Sequence, residues 1–133
     1  MRILNGSHEL VAQSHNSEEC NHPLSRNELE AVLTEAHSNT PGPDGLELDF
    51  LKLGGEEFRN VLLKLFNACF LSHFFPTNFK SVYIIPIPKK DPHKFRPIAL
   101  VSNLAKTNER LLHRRLVASL IDKKVIEPAQ AGK

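Results

Sequence analysis

Residues 81–101 read SVYIIPIPKKDPHKFRPIALV, a β-branched pattern broken by prolines. Proline has no N–H to give to a ladder. A strand holding Pro86 and Pro88 must therefore lie at a sheet edge or end irregularly. RPIALV, residues 96–101, is the natural antiparallel partner, and Lys89, Lys90, Asp91, Pro92, His93 and Lys94 form the connecting loop. Two strands alone make a marginal sheet. Either the helices support this ribbon, or something beyond it completes the sheet.

The rest of the chain reads as helix. Ser25 and Glu28 have the spacing of a capping box. Leu24 and Leu29 flank them as a hydrophobic staple. Leu29, Val32, Leu33 and Ala36 then follow helical spacing to about His37. SNTPGPDG, residues 38–45, excludes regular structure; Pro43 presets φ for a turn, and by composition the segment is a plain helix-to-helix connection. LELDFLKLGG, 46–55, suits a short helix closed by glycine. A longer helix from Glu56 to about Ser72 presents Phe58, Val61, Leu62, Leu65, Phe66 and Cys69 as one stripe. Ser102 can cap a last helix reaching about Ile121. Its leucines 104, 111, 112, 116 and 120 lie mostly on one face, with Lys106, Arg110, Arg114 and Arg115 crowding the rest. The fold class is α+β, mainly helical with one β-hairpin. Residues 1–23 are polar and aperiodic and read as a disordered or loosely packed lead-in. Its His8, His15, Cys20 and His22 match no established metal-ligand spacing.

Net charge is only +2, but it is unevenly spread. Residues 1–79 hold five Lys/Arg against eleven Asp/Glu, a net of −6; residues 80–133 hold twelve against four, a net of +8. A basic half of this kind suits a polyanionic partner through phosphate contacts and counterion release. On charge alone a solvated basic face is the simpler reading. Cys20 and Cys69 give no disulfide framework. No apolar run has the ~20 residues needed to span a bilayer, and MRILNGSHELVAQ lacks the apolar run of a secretory leader. These features predict an intracellular chain, cytoplasmic or nuclear and not secreted, with no membrane partner.

The basic loop makes physical sense as a phosphate grip. Lysine supplies a mobile point charge, and arginine a planar fork matched to two phosphate oxygens. Prolines on either side limit the backbone entropy lost on binding. Lysines that merely protect an edge strand explain the composition equally well.

The segments TPGPDGLELDFLK, FNACF, FPTNFKSVYIIPIPKK, KFRPIAL, KTNERLLHRRL and QAG occur in this order along the chain. From about Leu24 to the last residue, the pattern resembles the N-terminal, fingers part of reverse transcriptases from non-LTR retrotransposons of the jockey-like group. The resemblance implies residues 24–133 as a partial reverse transcriptase domain, a partial fingers subdomain of a right-hand polymerase. It assigns Lys89 and Arg96 to the nucleotide triphosphate. The turn Pro41, Gly42, Pro43, Asp44 and Gly45, with Lys90 and Lys94, falls to template or nucleic-acid contact. The parent reaction is template-directed DNA synthesis from dNTPs, with an RNA template, a DNA primer and Mg²⁺ held by palm aspartates. The four aspartates here, Asp44, Asp49, Asp91 and Asp122, form no adjacent pair. No catalytic residue and no metal ligand is therefore expected within these residues, and the fragment is expected to be inactive without the missing palm domain. Departures from the pattern are Asn39-Thr40 before PGPDG, Phe79 for tryptophan, Phe95 for tyrosine, a shortened hairpin loop, and Lys133 where phenylalanine is usual. Two alternatives stand beside this reading: a salt-sensitive nucleic-acid-binding module and a degenerate, non-functional gene product.

Overall fold

A computed structural model describes residues 18–37 and 40–127. The elements are α1 (Glu18–Asn21), α2 (Arg26–Glu35), α3 (Leu48–Leu53), α4 (Glu56–Leu71), a 3-10 turn (Thr77–Lys80), β1 (Val82–Pro88), β2 (Phe95–Val101) and α5 (Asn103–Asp122). The chain divides into two units. One spans Pro23–His113; the other combines Met1–His22 with Arg114–Lys133. The architecture is α+β, with helices and one antiparallel two-stranded ribbon.

In the larger unit, α2 starts as its sequence dictates. Ser25 Oγ accepts the Glu28 N–H at 3.3 Å, and Glu28 Oε2 accepts the Ser25 N–H at 2.7 Å. This reciprocal pair satisfies two donors at the helix start. Leu24 is held from a second side. The Asn67 amide accepts its N–H at 2.6 Å and donates to its carbonyl at 3.0 Å, pairing with it as a strand would. Leu24 joins Leu29, Val32, Leu33, Leu48, Leu51, Leu62, Phe66, Phe79 and Leu111 in one core. Burying each large side chain contributes roughly 1.5–3 kcal/mol.

The α4 stripe is narrower than its spacing predicts. Leu62, Phe66 and Cys69 are buried, whereas Val61 is 60% exposed and Leu65 is 37% exposed. The neighbouring helices cover the Leu62–Phe66–Cys69 line and leave the flank open. Burial pushes the Cys69 thiol up from its ordinary value, as befits an inert core cysteine. α2 ends at Glu35, two residues before His37, and α5 runs to Asp122 with Leu116 exposed.

One arginine ties three helices together. Arg59, on α4, is buried and donates to the carbonyls of Leu51 and Lys52, which close α3. Its Nε also lies 3.0 Å from Glu30 on α2. Arg26 binds the same Glu30 oxygen at 2.8 Å and reaches Glu56 at the start of α4 at 3.0 Å. Two arginines thus share one carboxylate, and the last carbonyls of α3 gain partners beyond the Gly54 N–H, which closes on Phe50 at 3.2 Å.

The ribbon is set by its prolines. The register pairs Ile85 with Ile98, Pro86 with Pro97, Ile87 with Arg96 and Pro88 with Phe95. Neither Pro86 nor Pro97 can donate, so their pair is a non-hydrogen-bonded one. Alternation makes Ile85–Ile98 and Ile87–Arg96 the bonded pairs. The Lys89 N–H donates to the Lys94 carbonyl at 2.9 Å, in phase with this pattern. All three strand prolines therefore stand where an N–H would point away from the partner, and the ladder loses nothing.

In the smaller unit, the described residues are 18–22 and 114–127. The Arg115 guanidinium donates to the carbonyls of Cys20, at 3.3 Å, and His22, closing α1. α1 itself lies within the lead-in, residues 1–23, expected to be disordered or loosely packed. Residues 1–17, with His8 and His15, lie outside the described residues, as does the QAGK end. Among the described residues no helix is long and apolar enough to cross a membrane.

Replacing Arg59 by Met should lower stability by about 2 kcal/mol, the scale of hydrogen bonds made by a charged donor. Lysine should not restore it, because a point charge cannot serve two carbonyls and a carboxylate at once. Urea unfolding followed by circular dichroism measures both.

Candidate phosphate-binding site

Side chains alternate across an antiparallel pair. The register therefore puts Tyr83, Ile85 and Ile87 of β1 on the same ribbon face as Leu100, Ile98 and Arg96 of β2, and Lys89, just past the end of β1, continues the alternation. At the tip of this face, Ile87, Pro88, Lys89, Lys90, Asp91, Arg96 and Ile98 line one open depression of about 610 Å³. Lys89 and Arg96, seven positions apart by number, are brought to a common site by the hairpin. Two isoleucines and three cationic groups are among its lining residues.

The loop is organised by Asp91. Its Oδ1 accepts the His93 N–H at 3.2 Å, its carbonyl accepts the Lys94 N–H at 3.0 Å, and its Oδ2 lies 3.2 Å from Lys94 Nζ. Asp91 thus engages Lys94, whose side chain stays largely exposed. Lys89, Lys90 and Arg96 make no ion pair among the described residues. Three exposed cations beside one carboxylate leave an excess of positive charge, which suits an anion with several oxygens.

The Pro41–Gly45 turn lies elsewhere in the same unit and is built by its own residues. The Gly45 N–H donates to the Gly42 carbonyl at 3.0 Å, and Gly45 adopts φ +68°. Pro43 supplies the fixed φ of the preceding corner. The turn is also fastened at long range. Asp44 Oδ2 accepts the Ser102 hydroxyl, and Asp44 Oδ1 accepts the Leu46 N–H at 3.2 Å. Asn103 Nδ2 donates to the Leu46 carbonyl at 2.7 Å, and Lys106 Nζ to the Thr40 carbonyl at 3.4 Å. Ser102 meanwhile accepts the N–H groups of Leu104 and Ala105 at 3.1 and 3.4 Å, capping α5. Gly42 is buried against this junction. A Cβ there would come within 2.8 Å of Ser102 Cα and closer still to Ser102 N.

The residues singled out from sequence thus fall into two groups. Lys89, Lys90 and Arg96 share the depression, with Lys94 at the loop's end. Pro41, Gly42, Pro43, Asp44 and Gly45 form a turn bound to the β2–α5 junction. Sequence reasoning missed the two isoleucines beside Arg96, legible from the alternation along the paired strands. It also missed the Asp44–Ser102 bond, which no local pattern announces.

This cationic ribbon and docked turn occur in a chain whose relatives are RNA-directed DNA polymerases of retrotransposable elements. The chain is 29% identical over 92 residues, 65% of its length, to the Retrovirus-related Pol polyprotein from type-1 retrotransposable element R1 of Bradysia coprophila. It is 29% identical over 109 residues (78% of the chain) to a probable RNA-directed DNA polymerase from transposon BS of Drosophila melanogaster. To the corresponding protein from transposon X-element of the same fly it is 28% identical over 104 residues, 74% of the chain. The matched stretches make up 9%, 12% and 11% of those proteins, so the chain spans about a tenth of the curated relatives it matches. No protein-family model matches it.

Gly42→Ala should destabilise the fold by about 1–3 kcal/mol, the usual cost of inserting a methyl into a packed site. Gly45→Ala, which meets no neighbouring atom, should cost only the strain of its positive φ. Paired thermal melts separate the two.

Proposed function

We propose that this chain is a fingers part of a retrotransposon RNA-directed DNA polymerase, and that its hairpin holds the triphosphate of an incoming dNTP. The observation that carries this reading is that Lys89 and Arg96 line one depression on one ribbon face. Lys89 brings a compact charge to the phosphates, and Arg96 a planar fork that can grip two oxygens at once. Together they offset negative charge that shifts during phosphoryl transfer. Lys90 and Lys94, with the Pro41–Gly45 turn, contribute to the surface that follows the RNA template and DNA primer.

The remaining chemistry belongs to the parent enzyme. Mg²⁺ would supply the attacking 3′-hydroxyl with an activating charge and stabilise the pyrophosphate. Among the described residues no three His, Cys, Asp or Glu side chains come together as metal ligands. The contribution proposed for this chain is to bind and orient. A second reading, a general nucleic-acid-binding module, draws on the +8 balance of residues 80–133.

Titration of the chain with dTTP by calorimetry tests the proposal. Lys89→Ala and Arg96→Ala should each weaken binding about tenfold or more, as expected when a charge-assisted hydrogen bond is lost. Arg96→Lys should recover little of it. Unchanged affinity in both alanine variants overturns the nucleotide reading. If those variants instead lose salt-sensitive affinity for single-stranded RNA while dTTP never binds, the module reading replaces it. The 133-residue chain alone should not extend an annealed primer with Mg²⁺ and dNTPs; extension above background would contradict this.

A further inference from the structure

The hairpin stands on narrow footings. All seven β1 residues are exposed, and on β2 only Leu100 and Val101 are partly covered. Where the ribbon points is therefore decided at its two feet. The first foot follows the 3-10 turn, where Phe79 is buried in the core and packs edge-on against Phe75 at 5.5 Å. The second is Val101–Ser102, where Val101 packs against the core and Ser102 adds a polar anchor. One buried hydroxyl, Ser102 Oγ, donates to Asp44 and accepts from Leu104 and Ala105. Gly42 lies directly against the same backbone.

We infer that Asp44 is a positioning residue for the hairpin: through Ser102 it clamps the foot of β2 and so sets where Arg96 meets the nucleotide. The inference rests on the nucleotide reading above. Both carboxylate oxygens of Asp44 are already committed, to Ser102 and to the Leu46 N–H. They are thus occupied within the protein. A negative carboxylate would also repel a phosphate backbone, so an internal role fits its charge as well as its geometry. Asn103 reinforces the clamp by holding the Leu46 carbonyl from the residue after Ser102. The turn, the strand end and the helix start then move as one piece. A shift at Val101 is carried along β2 to Arg96, because an extended strand transmits rotation at its base to its far end.

Asp44 is exposed, so its truncation leaves no buried hole. The experiment compares Asp44→Ala, Asp44→Asn and the unaltered chain in two measurements. The first is amide hydrogen exchange at Ile85, Ile87, Arg96 and Ile98, with α4 amides as the internal reference. Asp44→Ala should speed hairpin exchange at least fivefold and leave α4 unchanged. Asparagine keeps one acceptor for two donors and should fall between. The second is dTTP affinity, which should weaken about fivefold in Asp44→Ala. It should weaken no further when Arg96→Ala is already present, since the clamp acts through that side chain. A merely structural loss would speed exchange everywhere and add to the Arg96 effect. Unchanged hairpin exchange overturns the clamp. Faster exchange with unaltered dTTP affinity, while Lys89→Ala still weakens binding, overturns the positioning role and leaves the nucleotide reading standing. If neither Lys89→Ala nor Arg96→Ala changes dTTP affinity, the nucleotide reading itself fails and takes the positioning role with it.

Discussion

A ribbon exposed on both faces has to be aimed from its base, and the functional geometry here depends on that constraint. Two strands cannot bury enough surface to hold themselves against a body. The aiming is divided between an aromatic plug, Phe79, and a polar clamp at Ser102. The two anchors have different physical characters. The plug is non-directional and fixes depth. The clamp is directional, since a hydroxyl with one donated and two accepted bonds holds a defined angle. Val101 adds apolar contact at the second foot, but apolar contact alone would hold the ribbon close while leaving it free to twist.

The same exposure raises a hazard that the prolines offset. Open strand edges invite pairing with other chains. On β1 the outward positions are Val82, Ile84, Pro86 and Pro88; on β2 they are Phe95, Pro97, Ala99 and Val101. The half of each edge nearest the loop is therefore poor in outward N–H groups. The lysines add charge at the same end. Proline content that first looks hostile to a strand thus lets a strand stand unaccompanied. Phosphate-gripping residues and edge protection are not competing explanations of this loop, because the same features can serve both.

Legibility in the sequence followed the range of the interactions. The capping box at Ser25, the Gly54 closure of α3, the strand pair and the Ser102 cap are all local, and each was readable from residues a few positions apart. The face shared by Lys89 and Arg96 was also within reach, because hairpin register converts sequence spacing into position. What escaped is long-range. Asp44 and Ser102 are 58 positions apart, Leu24 and Asn67 are 43, and by sequence Asp44 and Asn67 read equally well as solvated polar side chains. The width of the α4 stripe escaped for a related reason. Periodicity marks the apolar face, but neighbouring elements decide how much of it is covered, and here Val61 and Leu65 stay open.

A cation on an open ribbon depends on geometry more than on burial. Ile87 and Ile98 line the depression with Arg96 but are themselves 44% and 36% exposed, so the guanidinium acts as a surface charge in a high dielectric. The arginine fork, less strongly hydrated than an ammonium, still gives up less on binding an anion. Rigid backing matters under these conditions, because a bidentate contact tolerates little angular error. The Arg59–Glu30–Arg26 network supplies such backing in the helical body. It fixes α2, α3 and α4 as one support, and the turn that clamps the hairpin is the chain segment leading directly into α3. Asp44 thus bonds both the foot of the strand that carries Arg96 and the chain entering the helix that Arg59 closes.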